Sequence, residues 1–404
     1  MKNVLITFAF FTLLTAGCAT REPEPLTNYA ADSVSVEIKV NEDDLSFWDV
    51  PHLEEAQIYT APKERNDGVV VGKLGAHGSN KNIIVELAQE IAADQHGDYD
   101  SLLIVHEGRL VFESYYLGGR INLTHPQVSA TKSYTSLALG RAIQLGYLTM
   151  DDLNKPLVSF LKDLNPAKFV EGVEKITLHQ ALSMRSGIRV SKEDEEEFKL
   201  EPSQLLGQGH VQTYLENSAS ITDESQSFKY QGDPMLVMQV IEAVVPGSAK
   251  DFIKNELFAK LGITTYNWQT DISGLPIAGA RSSITSRAMV KLGTLAINNG
   301  KWKGEQLIPE AFMTKATNSV VHTSDDDIFG GGEALSNSGY GYFWWQADMR
   351  VGDRTYFSTS AQGGGGQYII LIDELDLIVV ATAHEPEVTT LQMTAERILP
   401  AFIE

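Results

Sequence analysis

Between residues 82 and 95 the apolar positions Ile83, Ile84, Leu87 and Ile91 recur at helical spacing, which predicts a helix. The period then changes. Residues 101–106 and 109–116 are apolar, β-prone runs on either side of Glu107-Gly108, which predicts a hairpin with His106 at its turn end. A long, mostly helical region follows. It includes a helix over 178–184 stopped at Ser186-Gly187, amphipathic helices over 235–244 and 249–261, and one over 286–298 stopped by Asn299-Gly300. Strands return at 340–347, 355–359, 367–372 and 377–383, and a helix over about 388–402 closes the chain. This order predicts an α/β (α+β) fold with one antiparallel sheet assembled from both chain ends and an inserted helical lobe. The sheet lobe would take about 80–125 and 270–404, and the helical lobe about 126–269. Residues 18–62, rich in Pro, Glu, Asp and Thr and without clear period, read as a tether and irregular extension.

The first 17 residues are patterned differently. Lys2 precedes an apolar run over 4–14 and then Thr15-Ala16-Gly17-Cys18, an arrangement that predicts an export signal. The run is too short for a spanning helix. With small residues leading to a cysteine, it resembles a bacterial lipoprotein signal, although Thr15 stands where leucine is usual. The resemblance implies a lipid-anchored Cys18 and, since Ala19 rather than Asp follows, the outer membrane. Cys18 is the only cysteine, which excludes an intramolecular disulfide and a cysteine-protease centre. A formal net charge of −21 argues against nucleic acid as a partner. The acidic runs 193–197 and 325–327 read as solvated faces, and no His-Glu-x-x-His or similar spacing appears, so no metal or cofactor is expected.

Candidate chemistry begins at Ser129-Ala130-Thr131-Lys132, opening a helix. Three residues is nearly one turn, so the Ser129 hydroxyl and the Lys132 amine share a face, and a lysine in reach can act as base for a serine nucleophile. An ordinary helix start, capped by Ser129 or Thr131, fits the same spacing. Tyr230 lies in a loop before the helix at 235 and is a candidate proton-transfer group, or a buried aromatic with a satisfied hydroxyl. Gly363-Gly364-Gly365-Gly366 would let backbone pass close to a ligand, where an N–H could pair with that of Ser129 to hold an oxyanion, or would form a flexible hairpin turn. His179 reads as a satisfied core histidine; His210 and His322 read as loop residues. His384 ends a strand near the proposed cleft mouth. Trp344 and Trp345 would face opposite sides of one strand, and Ser133 and Asp233 read as structural.

Taken together in this order, the landmarks resemble the serine beta-lactamase and penicillin-binding-protein superfamily, nearest its class C-like esterases and 6-aminohexanoate-dimer hydrolases. The resemblance runs from about Asp67 to the C-terminus. It rests on Phe112-Glu113-Ser114-Tyr115-Tyr116, Ser129-x-x-Lys132, the stretch 176–187, Tyr340-Gly341-Tyr342-Phe343-Trp344-Trp345 and the glycine run. It implies a beta-lactamase/transpeptidase-like fold, Ser129 as acyl-forming nucleophile, Lys132 as base, Tyr230 in proton transfer, the N–H groups of Ser129 and Gly364 as oxyanion hole, and Gln362 and Gly363 against substrate. Two departures stand out. Gly232 occupies the asparagine position of the Tyr-x-Asn motif, and Ala361-Gln362-Gly363 lacks the lysine of Lys-Thr-Gly. Both move the expectation from beta-lactams toward small-molecule esters, amides or peptides without the usual carboxylate contact. A cell-wall D-amino-acid peptidase or carboxypeptidase, and a catalytically silent ligand-binding lipoprotein, are the alternatives.

Overall fold

The computed structural model describes residues 35–38, 46–76, 78–328, 331–385 and 388–403. The predicted signal and Cys18 lie outside the described residues. The central sheet has nine strands: β1 (Gln57–Tyr59), β2 (Tyr99–His106), β3 (Arg109–Tyr115), β4 (Val321–His322), β5 (Leu335–Tyr340), β6 (Trp345–Val351), β7 (Arg354–Gly363), β8 (Gln367–Ile372) and β9 (Leu377–Ala383). Their spatial order is β1-β3-β2-β9-β8-β7-β6-β5-β4, every pair antiparallel. The join between chain ends is β2 against β9, with Leu103 opposite Val380 and Ile104 opposite Val379.

Both faces of this join are covered, which is why β9 is buried throughout and apolar except at Thr382, whose hydroxyl pairs with Ser101. Leu102, Ile104, Tyr368, Ile370, Val379 and Ala381 pack with α1 (Lys81–Ala92) and the C-terminal helical segment. Leu103, Val105, Ile369, Leu371, Ile378 and Val380 face the helical lobe and share a core with α2 (Thr131–Gln144), α3 (Leu178–Leu182), α4 (Asp233–Val244) and α5 (Ser286–Ile297). On α5, Gly293 brings the helix so near the sheet that a Cβ there would sit 2.9 Å from the Ile369 Cγ2. A small second sheet, His125–Pro126 with Ser282–Ile284 and Tyr266–Trp268, joins the entrance of the helical lobe to its exit.

Five expectations need correction. Residues 340–347 form no single strand: the chain turns at 341–344, with Phe343 at φ +62, and β5 and β6 pair across that turn. The predicted 355–359 strand extends to Gly363. The closing helix is short α, π and 3-10 pieces over 390–401, and 249–261 likewise passes into a π turn. Finally, β1 belongs to the sheet although its residues fall in the expected extension.

Arg287 on α5 fastens the helix to this edge. Its guanidinium donates to both Glu113 carboxylate oxygens at 2.8 and 3.0 Å, to Asp67 Oδ2 at 2.8 Å and to Lys63 O at 3.0 Å. Glu113 also accepts from the Tyr115 hydroxyl. Because Arg287 and Glu113 are both buried, Arg287→Met would strand a charge and should cost about 3–5 kcal/mol of unfolding free energy. Chemical denaturation of the two proteins checks this; a loss below about 1 kcal/mol would show the pair to be dispensable.

Candidate active site

Ser129 sits in a single 3-10 turn, Val128–Ala130, that leads directly into α2. Val128 before it has φ +46, a left-handed value that a β-branched residue rarely adopts. The helix that follows is buried through its first thirteen positions, so the whole element is fixed by packing. Lys132 is 8% exposed. Its Nζ donates to Ser129 Oγ at 2.9 Å and to Gly279 O at 3.0 Å, and lies 4.7 Å from the centroid of the Tyr230 ring. The ammonium thus meets the face of the tyrosine, not its hydroxyl. Tyr230 is 39% exposed, and its ring rests on Trp345 at 5.3 Å and Tyr340 at 6.1 Å between centroids. It is therefore a cleft-wall residue, unlike the buried aromatic that its spacing alone also allowed.

The loop carrying Tyr230 is held from below. Lys229 N donates to Met184 O, and buried Asp233 accepts from Ser186 N at 2.9 Å, Ser186 Oγ at 2.8 Å and Gln231 Nε2 at 3.0 Å. Burial pushes the Asp233 carboxyl up to about 6, against those hydrogen bonds. Ser133 Oγ donates to Phe343 O at 2.6 Å. Asp233 and Ser133 are structural, as expected.

The glycine run is the turn between β7 and β8 and also the point of close approach. A Cβ on Gly363 would collide with Gln127 O, and one on Gly364 would touch Val128 Cγ1 at 3.9 Å. Gly366 N donates to Gly363 O at 3.2 Å inside the turn. In a trans peptide the N–H points opposite to the C=O, so the Gly364 N–H is directed away from the turn. Gln367 braces the other side, its Nε2 donating to Gly364 O at 3.2 Å and Ala383 O at 3.0 Å. The structure thus brings Ser129, Lys132, Tyr230 and the glycine turn together. Gln362 lies on the same strand: its side chain is 7% exposed, its Nε2 donates to Ser360 Oγ, and its Oε1 is buried with no partner among the described residues.

Two groupings escaped sequence reasoning. Gly279 supplies a backbone acceptor to Lys132, and a carbonyl leaves no signature in sequence. Asp100, fully buried, accepts from His125 at 3.0 Å and from His384 at 2.7 Å, with Phe47 packed on His125 at 4.2 Å. Burial would raise the Asp100 carboxyl, but the two imidazoles outweigh it and hold the group low; the Asp100 hydrogen bond raises His384. The Nδ1 of His384 is thereby engaged by Asp100, while its Cα lies near the glycine turn, 3.8 Å from where a Cβ on Gly365 would sit. His210 lies in the helix Gly209–Asn217 and His322 in β4, not in loops.

The Beta-lactamase family model matches residues 84–400. The chain belongs to the Beta-lactamase family. Among solved structures it is similar to a Bacillus anthracis protein described as a 6-aminohexanoate-dimer hydrolase (17% identity, 86% of this chain and 91% of that one, TM-score 0.60). It is also similar to EstCE1, a hydrolase with promiscuous acyltransferase activity (15%, 80% and 97%, 0.59), and to a D-stereospecific amidohydrolase from a Streptomyces species (15%, 76% and 96%, 0.54). At such identities these likenesses show the beta-lactamase/transpeptidase fold. No curated protein sequence matches the chain. Membership of this family supports a hydrolase.

Two outcomes follow from the geometry. Gly363→Ala pushes β7 off Gln127 and should lower any activity of the site about 100-fold while the fold is retained, since displacements near 1 Å cost that much. Circular dichroism and turnover measured together check this, and a variant as active as wild type would refute the close-approach argument. His179 is the second case. Its Nε2 accepts from Arg185, which can only donate, so Nδ1 carries the proton and donates to the Tyr342 hydroxyl at 2.8 Å. Burial, then the nearby cation of Arg185, lowers its pKa from 6.5 to about 4. The stability this neutral imidazole contributes is complete above pH 6.5 and is lost as pH falls through about 4. His179→Gln should flatten the melting-temperature profile in that window; an unchanged slope would assign the pH dependence to other groups.

Proposed function

We propose that this chain is a serine hydrolase that opens an ester or amide through an acyl intermediate on Ser129. The observation that carries the proposal is the 2.9 Å contact of Lys132 Nζ with Ser129 Oγ in a cleft walled by Tyr230. With Lys132 neutral, its lone pair takes the hydroxyl proton as Ser129 Oγ attacks the carbonyl carbon. The carbonyl electrons move to oxygen, where the N–H groups of Ser129 and Gly364 are the candidate donors. Collapse breaks the bond to the leaving group, which receives its proton from Lys132, with Tyr230 as the relay at the open side of the cleft. Water then repeats the sequence on the acyl ester and restores Ser129.

The substrate reading follows from what the cleft lacks. A Cβ at Gly232 would meet nothing within 4 Å, so the position of the family's asparagine is open space. Ala361 offers no cation on β7. An ester or amide that does not depend on those two side chains fits better than a beta-lactam, and the esterase-like and amidohydrolase neighbours are in keeping with it.

Incubation with a short-chain p-nitrophenyl ester, read by turnover and intact mass, tests the assignment, with a fluorescent penicillin as comparison. The ester should acylate wild type far faster than the penicillin does. Ser129→Ala should abolish the adduct, and Lys132→Ala should cut kcat by about 10²–10⁴. An adduct that persists in Ser129→Ala would remove the nucleophile from the proposal.

A further inference from the structure

Residues 278–282 are tied to the start of α2 almost residue by residue. Thr135 Oγ1 donates to Ala278 O at 2.8 Å, Lys132 Nζ to Gly279 O at 3.0 Å and Gln127 N to Ser282 O at 2.8 Å, while Ser282 Oγ shares a hydrogen bond with Thr131 Oγ1 at 2.7 Å. Arg281 is held inside this clamp, two residues from the carbonyl that fixes Lys132, hence within roughly 7.6 Å of Gly279 from Cα to Cα. Its φ is +63, a left-handed conformation that a bulky residue keeps only where the surroundings impose it, and such residues gather at ligand clamps.

The side chain is exposed and lines a groove of about 1080 Å³ that also includes Val128, next to Ser129, Ala280, next to Gly279, and the rings of Trp48 and Tyr266. Asp49 is the one acidic residue among the described residues in the lining. Among the described residues neither it nor any other carboxylate forms an ion pair with Arg281, in contrast to Arg287, which holds Glu113 and Asp67. In a chain with a formal net charge of −21, an arginine without an ion-pair partner among the described residues, on a backbone segment clamped to the start of α2, is a specific feature. Its planar fork matches a carboxylate in a two-bond contact.

We infer that Arg281 receives a carboxylate of the substrate, so that the bond opened at Ser129 belongs to an acid-bearing ester or amide. The inference rests on the Ser129 reading and supplies, from another segment, the cation missing at Ala361. It revises the simpler expectation of a substrate without a carboxylate contact.

Two matched pairs of esters test it. The mono-p-nitrophenyl ester of adipic acid is compared with that of adipamic acid, and 4-carboxyphenyl hexanoate with 4-carbamoylphenyl hexanoate, which puts the charge on the acyl part or on the leaving group. In wild type the anionic member of one pair should have about tenfold higher kcat/KM. The preference should vanish in Arg281→Gln and invert in Arg281→Glu. Equal rates within both pairs, or a preference that survives Arg281→Gln, overturns the inference. Titration calorimetry of the same esters with Ser129→Ala gives a readout that needs no turnover. Charge-selective binding there, lost in the double variant, with an inactive wild type would reject the hydrolase reading and keep the Arg281 site. Turnover without charge selectivity would do the reverse.

Discussion

The site depends on where a nearly buried lysine finds its partners. A buried ammonium is tolerated only when its protons are met, and the three groups around Lys132 Nζ come from three separate stretches of chain. Ser129 is on its own helix, Gly279 is on the segment entering the sheet lobe, and Tyr230 is on the loop before α4. Satisfying one cation therefore draws the helical lobe, its exit segment and its front wall to a single point. The same contacts hold the Lys132 nitrogen against the Ser129 hydroxyl, where its neutral form would take the proton in the proposed reaction.

That arrangement needs a rigid frame, and the antiparallel sheet provides it. Because β2 and β9 close the sheet between distant parts of the chain and both faces are covered, neither β7 nor α2 has freedom to drift. The glycine turn exploits this. It approaches Gln127 through the absence of a side chain at Gly363 and is held by its own Gly366–Gly363 hydrogen bond and by Gln367. A donor positioned in this way costs no reorganisation when charge develops nearby.

How far the sequence revealed this depends on the kind of signal involved. Periodicity identified α1, the β2–β3 hairpin and the β8–β9 pair, because burial on one or both faces writes itself into apolar spacing. Ser129 and Lys132 were legible because one helical turn fixes their relation. The β5–β6 turn was not: Tyr340, Tyr342, Phe343, Trp344 and Trp345 make an aromatic run that reads as a strand, and only the close contact of Gly341 with carbonyls of residues 315–318 explains the reversal. β1 was hidden because a three-residue edge strand has no inner face to pattern. Gly279 and Arg281 were hidden for a different reason. One acts through a carbonyl, which every residue carries, and the other through a position brought alongside α2 only by tertiary folding.

This division bears on function. The groups that the sequence displays, a hydroxyl and an amine one turn apart, suit the proposed acyl transfer but say little about the acyl group. The groups that it hides line the approach to them. Gly232 leaves an opening where the family carries an amide, Ala361 puts no cation at the site end of β7, and the groove past Val128 carries an arginine with no ion-pair partner among the described residues. A charge-assisted contact made there, rather than on β7, would hold a substrate by a different end while presenting the same carbonyl to Ser129. Losing one cation and gaining another would redirect such a site without touching its nucleophile, so on the proposed reading substrate class is set by position around a retained centre.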